Sequence, residues 1–369
     1  MWRNIAAAAL LLFLLAVPGH ASGVTEQVAE AAGASAVTGA VPESARGATK
    51  GLDPAVSPDL NKGVDNILRE TSRQVGSLLR DSLGGMVMIL GIVALCGVAA
   101  VLMKDSAQEI KIVPLVGILG LAAVAGGQTH SLLSLGREAI REMDAFSKIL
   151  LPSLAVAGAA AGAPTAAFAW RMATSLFCDL LITLVDRLLI PLIYAHFALI
   201  TCDALVGGEM LARLAKLVKW LVTGLLTLFL TGFIFYLNVS GGIAGSADAL
   251  AVKTAKFAMS GTVPVVGGIL SDAAEAVLAG ASIVRGALGI FGVVALIGIC
   301  LTPFLRLGIQ ALLFKLVSAL SAPLADSRLV KYLDDVGGAV SLVLAATASV
   351  AFLLMISLVS GVLAGMSLG

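Results

Sequence analysis

The residues of this chain whose type and spacing could do chemistry are few, and most sit in apolar surroundings. Asp179 and Asp186 are seven residues apart in an apolar stretch, and Arg187 follows at once. On a helix that spacing puts both carboxylates on one face, two turns apart. A charge inside a bilayer is costly, so it faces a partner, a cavity or the interface. Two readings follow. The carboxylates line a path for a cation or proton, or Asp186-Arg187 marks a tight surface turn while Asp179 caps or pairs locally.

A second set lies in 240–285, a Gly-rich, weakly amphipathic region. Lys253 and Lys256 share one side of a predicted helix, Val263-Pro264 and Gly267-Gly268 break it, and Asp272 and Glu275 lie one turn apart on the helix that follows. Lysines opposed to acids could pair across a helical hairpin dipping into the outer leaflet, or the region is a solvated amphipathic loop. An interrupted helix at membrane depth is tolerated only where it meets protein or water.

No enzymatic constellation accompanies these residues. There is no P-loop, HExxH, GxSxG or strand-bounded GxGxxG. His20 leaves with a predicted signal segment, and His130 and His196 stand alone near the ends of apolar segments. Cys96, Cys178, Cys202 and Cys300 sit in apolar runs without CxxC spacing, as small apolar core residues do. The reading is a non-enzyme with no cofactor and no metal. Arg306 and Lys315 are expected to extend to the headgroups.

Small residues recur at helix-packing spacing: Gly158 and Gly162; Gly286, Gly289 and Gly292; Gly361 and Gly365. Such faces let helices approach closely, within the chain or in a homo-oligomer.

These residues must be positioned by membrane helices. Of 369 residues, 59% are apolar and 13% charged, against about 25% charged in a soluble domain. Basic and acidic residues number 24 and 23, so no net field draws a polyanion, and nucleic acid is excluded as a partner. Arg3, the apolar run Ile5–Val17 and Gly19-x-Ala21 read as a signal peptide over 1–21. Residues 22–60, rich in Ala, Gly, Ser, Thr and Pro, read as a flexible extracytoplasmic spacer. Residues 61–83 carry Val64, Ile67, Leu68, Val75, Leu78 and Leu79 at helical spacing with charges between, an amphipathic helix entering the bilayer.

The polytopic domain, 84–369, is expected to be all-α, a bundle of about seven transmembrane helices plus amphipathic or re-entrant ones. Predicted spans are 84–103, 112–135, 149–170 (interrupted by Pro164), 220–239, 287–305 and 337–368, with an apolar stretch at 308–324. Met172–Val206 is two tight spans or one span plus a half-helix. Gly136–Lys148 is expected as a charged amphipathic connector and Gly207–Lys219 as an interfacial helix with a basic stripe, Arg213, Lys216 and Lys219. That stripe belongs on the cytoplasmic side, which puts 240–285 outside.

The words Lys253-Thr-Ala-Lys-Phe257, Val263-Pro-Val-Val-Gly-Gly-Ile-Leu-Ser-Asp-Ala273 and Gly286-Ala-Leu-Gly-Ile-Phe-Gly292 resemble the stage III sporulation protein AE family. Glu138-Ala-Ile140 with Met143 and Phe146, leading into Leu150-Leu-Pro-Ser153, is similar to the same family's middle segment. The resemblance covers 83–369. It implies a multi-pass protein of the mother-cell membrane around the forespore, a subunit of a channel or secretion complex that supports forespore development and late sigma-factor activity. It also implies partners: the other proteins of the same operon and a forespore-side channel protein. No catalytic residue is implied. A stand-alone secondary transporter is the alternative, favoured by Asp179, Asp186 and an internal echo of Gly91–Gly97 in Gly292–Gly298.

Overall fold

The computed structural model describes residues 18–55, 60–102, 112–262 and 266–363, with side chains over 25–55, 60–102, 112–239 and 277–362. Every regular element among the described residues is a helix. In order they are α1 (Pro18–Ala31), α2 (Ala34–Gly39), α3 (Glu43–Thr49), α4 (Leu60–Leu102), α5 (Ile112–Ala160), α6 (Pro164–Leu184), a π turn (Val185–Leu189), α7 (Ile190–Val206), α8 (Glu209–Thr262), α9 (Val266–Ser321) and α10 (Ser327–Leu363). Helices satisfy every backbone group internally, which is what an apolar solvent demands.

Five of them are long and apolar enough to cross a membrane: α4, α5, α8 up to Val239, α9 from Val277, and α10. The central pair is α9 and α10, with 61% of each apolar window buried, against 17% for α4 and 22% for α8. Phe291 and Phe314 of α9, Tyr332 of α10, Phe146 of α5 and Phe233 of α8 are fully buried. The outer helices keep large apolar side chains exposed, among them Leu95, Val101, Trp220, Leu228 and Phe235.

The helices are longer and fewer than the hydropathy pattern suggests. The amphipathic segment 61–83 and the span 84–103 fall in one helix, α4. Gly136–Lys148, expected as a connector, is the middle of α5. Its charges lie on the outward side, while Gly136, Ala139, Ile140, Met143, Phe146 and Ser147 are buried at helical spacing. The basic segment before Trp220 and the span after it are likewise both α8. The segments 287–305 and 308–324 are joined in α9 despite Pro303. Charge on an outward face does not end a helix. The ends that do form carry local chemistry. Gly162 (φ 89°) precedes Pro164 at the start of α6, and Gly207 (φ 69°) closes α7, donating its N–H to the Asp203 carbonyl at 2.8 Å. Asp326 caps α10 by accepting the Arg328 N–H at 2.8 Å.

Asp186 and Arg187 do not form a turn between spans, as one sequence reading had it. They lie in the π turn, which continues α6 into α7 without a break; the Ile190 N–H bonds back to the Val185 carbonyl. Pro191, next in line, has no N–H to give the Arg187 carbonyl. One wide turn accommodates that missing bond.

The stretch read as a flexible spacer holds α1, α2 and α3. Ala45 and Ala48 of α3 are buried against Gly298 of α9, where a Cβ would come within 3.0 and 2.9 Å of their Cβ atoms. Asn66 of α4 donates to the carbonyls of Ala48 (3.2 Å) and Lys50 (3.0 Å), which satisfies the C-terminal end of α3. Small side chains cannot bury much area alone, but here they permit close backbone approach. Most of the predicted signal peptide, residues 1–17, lies outside the described residues.

Candidate functional site

A belt of ion pairs lies between α5 and the helix antiparallel to it, α6 with its π turn. Arg137 and Lys148 are eleven residues apart on α5, three turns, so they share a face. Asp186 and Asp179 share a face of the opposing helix. The Arg137 Nε is 3.0 Å from the Asp186 Oδ1. The Lys148 Nζ is 2.7 Å from Asp144 on its own helix and 4.0 Å from Asp179. On another side of α5, Glu142 accepts a hydrogen bond from the Ser44 hydroxyl at 2.6 Å, tying the N-terminal helices to this helix.

Both predicted intramembrane aspartates therefore face a cation from α5. The side chains are 34–65% exposed, so the belt is a ladder of ion pairs on the outside of the bundle rather than the lining of a closed path. This geometry holds two helices in register. It offers no proton donor–acceptor pair aimed at a third group. Arg187 makes no ion pair among the described residues.

The glycines of the sequence reading fall in several places. Gly158 packs against Ala167, Gly292 against Leu150, Gly289 against Val362 and Gly361 against Trp170. Gly162 makes the α5–α6 turn, and Gly286 faces open space. Gly365 lies outside the described residues. The backbone at Lys253, Lys256, Asp272 and Glu275 is helical, in α8 and α9, and their side chains lie outside the described set, as does the break at 263–265.

Sequence reasoning missed three features. Arg285 of α9 is 4% exposed beside Gly158, and its Nε has no hydrogen-bond partner among the described residues. The indole of Trp170 donates to the Ser357 carbonyl at 2.7 Å, and Thr174 bonds to the Ser357 hydroxyl in the same buried cluster. Lys331 of α10 bonds Asp203 of α7 at 2.7 Å in a polar cup at the opposite end of the bundle. The periodicity of Trp170 and Thr174 could have suggested a shared buried face; the partners could not be read from one helix alone.

The two remaining histidines have ordinary partners. His130 shares a hydrogen bond with the Tyr194 hydroxyl (2.8 Å) and His196 one with the Ala215 carbonyl (3.0 Å). The four cysteines are free. Among the described residues no cluster of His, Cys, Asp and Glu could hold a metal ion.

This fold carries the motifs quoted above on α5, α8 and α9, and comparison with known proteins agrees. The family model for stage III sporulation protein AE matches residues 56–365. The chain belongs to the stage III sporulation protein AE family. It is similar to the stage III sporulation protein AE of Bacillus subtilis (strain 168), 28% identical over 246 residues, 66% of this chain. The chain spans 61% of that curated relative's length. No solved structure matches. The family match makes this a sporulation protein, and its five apolar helices associate it with membrane. The match begins after α3, so the N-terminal helices that pack on α9 precede it.

Proposed function

We propose that the chain is an integral membrane subunit of the sporulation channel complex that joins mother cell and forespore, and that it is a structural rather than a catalytic component. The observation that carries this reading is the family match over 56–365, which includes all five apolar helices. In this reading the chain sits in the mother-cell membrane around the forespore. Its partners are the other proteins of its operon and the channel protein on the forespore side.

The region 240–285 is the proposed contact surface. It joins the two longest helices, α8 and α9, and holds the words most like the family. Lys253 and Lys256 on α8 would pair with Asp272 and Glu275 on α9, or with charges of a partner. The test is sporulation efficiency alongside membrane abundance. Lys253→Glu/Lys256→Glu should lower sporulation at normal abundance, and adding Asp272→Lys/Glu275→Lys should partly restore it. Normal sporulation with all four replaced by Ser would reduce the region to a solvated connector. A stand-alone transporter loses its main support, since Asp179 and Asp186 each face a cation of α5.

A further inference from the structure

The apolar stretches of α4 and α8 do not stand side by side; contacts with α9 set their levels. Gly85 of α4 packs against Gln128, which accepts a hydrogen bond from Gln310 of α9 at 2.9 Å, and Gly97 packs against the Leu324 carbonyl. The apolar stretch 84–102 of α4 is therefore level with 310–324 of α9. Gln74, in the charged half of α4, accepts a hydrogen bond from the Thr302 hydroxyl at 2.8 Å. Leu230, midway along the apolar stretch 220–239 of α8, lines a groove with Leu301 and Leu305. The apolar stretch of α8 thus stands level with the charged half of α4. At 1.5 Å per residue of α9, the two apolar faces are offset by about 20 Å, against about 30 Å of hydrocarbon. With the helices upright in the lipid that covers α8, much of the apolar face of α4 lies beyond the oil, where protein must cover it.

That face has the form of a seam. Gly84, Val87, Gly91, Ala94, Val98 and Val101 follow one another at alternating spacings of three and four, the inner positions of a heptad. All six are exposed, and the larger Leu95 beside them is 72% exposed. A Cβ at Gly84 or Gly91 would meet nothing within 4 Å, whereas Gly158, Gly289, Gly292 and Gly361 are packed inside the chain. Glycine weakens a helix interior, and an outward pair one heptad apart offsets that where a second backbone comes close. One heptad below Val87 and Met88 stand Arg80 and Asp81, so Arg80 continues the seam and Asp81 its flank. Both are exposed, and neither makes an ion pair among the described residues. The apolar stretch of α8 instead follows Arg213, Lys216 and Lys219, charges of one sign that would repel their own copies.

We propose that α4 pairs with α4 of a second copy of this chain, parallel and in register along this seam. Copies inserted in one membrane point the same way, so the helix meets itself in parallel. In a parallel pair a residue at this seam position touches the partner's next residue, on the flank. Arg80 then lies beside Asp81 of the partner subunit, and Asp81 beside Arg80 of the partner subunit. The base of the seam is closed by two neutralising pairs, which fix the register.

The test is disulfide cross-linking of the full chain in its membrane, with the yield of the native cysteines as the baseline. Ala94→Cys, Val98→Cys and Val101→Cys should each give a linked dimer under mild oxidation. Ala99→Cys, on the same helix but off the seam, and Leu228→Cys, on the exposed face of α8, should stay at the baseline. In the Val98→Cys chain, Gly91→Leu should lower the yield several-fold, since its side chain fills only the space outside its own chain. Arg80→Glu should also lower it several-fold, and Arg80→Glu/Asp81→Arg should restore it. An Arg80→Glu chain mixed with an Asp81→Arg chain should link better than either does with itself, because only the mixed pair sets opposite charges together. Seam yields no higher than at Leu228 would overturn the proposal, leaving lipid over this face of a tilted bundle. A main product whose mass is not twice that of the chain would overturn it in favour of a different protein. No advantage for the mixed pair would overturn the parallel register.

Discussion

Arg137 and Asp186 meet across the only described π turn, with the guanidinium Nε 3.0 Å from the carboxylate and the two side chains 39% and 34% exposed. The contact joins the outward face of α5 to the one place where α6–α7 departs from α-helical winding. Because the pair is partly exposed, its coupling in detergent solution is expected to be small, about 0.2–1 kcal/mol. A double-mutant cycle with Arg137→Ala and Asp186→Ala, read by thermal unfolding in detergent, should give a value in that range, and it should shrink as salt rises. Coupling of several kcal/mol would mean that the pair is buried in the folded protein.

Trp170→Phe should cost more than either ladder substitution. It removes the donor for the Ser357 carbonyl in a site where both residues are buried. The carbonyl still accepts the i+4 N–H within α10, so the loss is of a second hydrogen bond, worth about 0.5–1.5 kcal/mol. Gly361 also packs against the indole, so the loss of ring area adds to the effect. The measurement is the midpoint of thermal unfolding compared with that of Phe235→Leu, a lipid-facing change that should be near neutral.

Gly298→Val should release the N-terminal helices. Any Cβ at this position comes within 3.0 Å of Ala45 and Ala48, and backbone as well as side-chain atoms stand in the way. Overpacking of this kind costs about 1–3 kcal/mol. Limited trypsin digestion should then cut at Arg46 and Lys50 several-fold faster, while the membrane helices remain resistant. Unchanged cleavage would mean that α3 does not depend on this contact.

Asn66→Ala should produce a milder version of the same release. Asn66 donates to two terminal carbonyls of the α3 segment, and each lost hydrogen bond costs about 0.5–1.5 kcal/mol. Asn66→Asp, which cannot donate, should behave like alanine in the same digestion assay, and Asn66→Gln should retain part of the protection.

How much of this was legible in the sequence differs from element to element. The helical class follows from apolar runs of span length, and the common face of Asp179 and Asp186 follows from their spacing. Their partners Arg137 and Lys148 come from another helix, and no local pattern points to them. The long helices were hidden because a hydropathy reading divides the chain wherever charges gather, as at 136–148, although those charges sit on one side of an unbroken helix. Pro152 and Pro303 are internal to helices, while Gly162 and Gly207 do end them, because a positive φ and an early proline redirect the backbone. The N-terminal helices were hidden for another reason. The alanines of α3 pack here because Gly298, some 250 residues away, leaves room for them.

The lengths of α8 and α9 have a mechanical consequence. At 54 and 56 residues they run to about 81 and 84 Å at 1.5 Å per residue, against about 30 Å of hydrocarbon. Even at a tilt of about 40°, the upper end of the usual range, each keeps tens of ångströms of rod outside the oil. Deleting one heptad from either helix would shorten it by about 10 Å, so the reach of each helix past the hydrocarbon is set by its residue count.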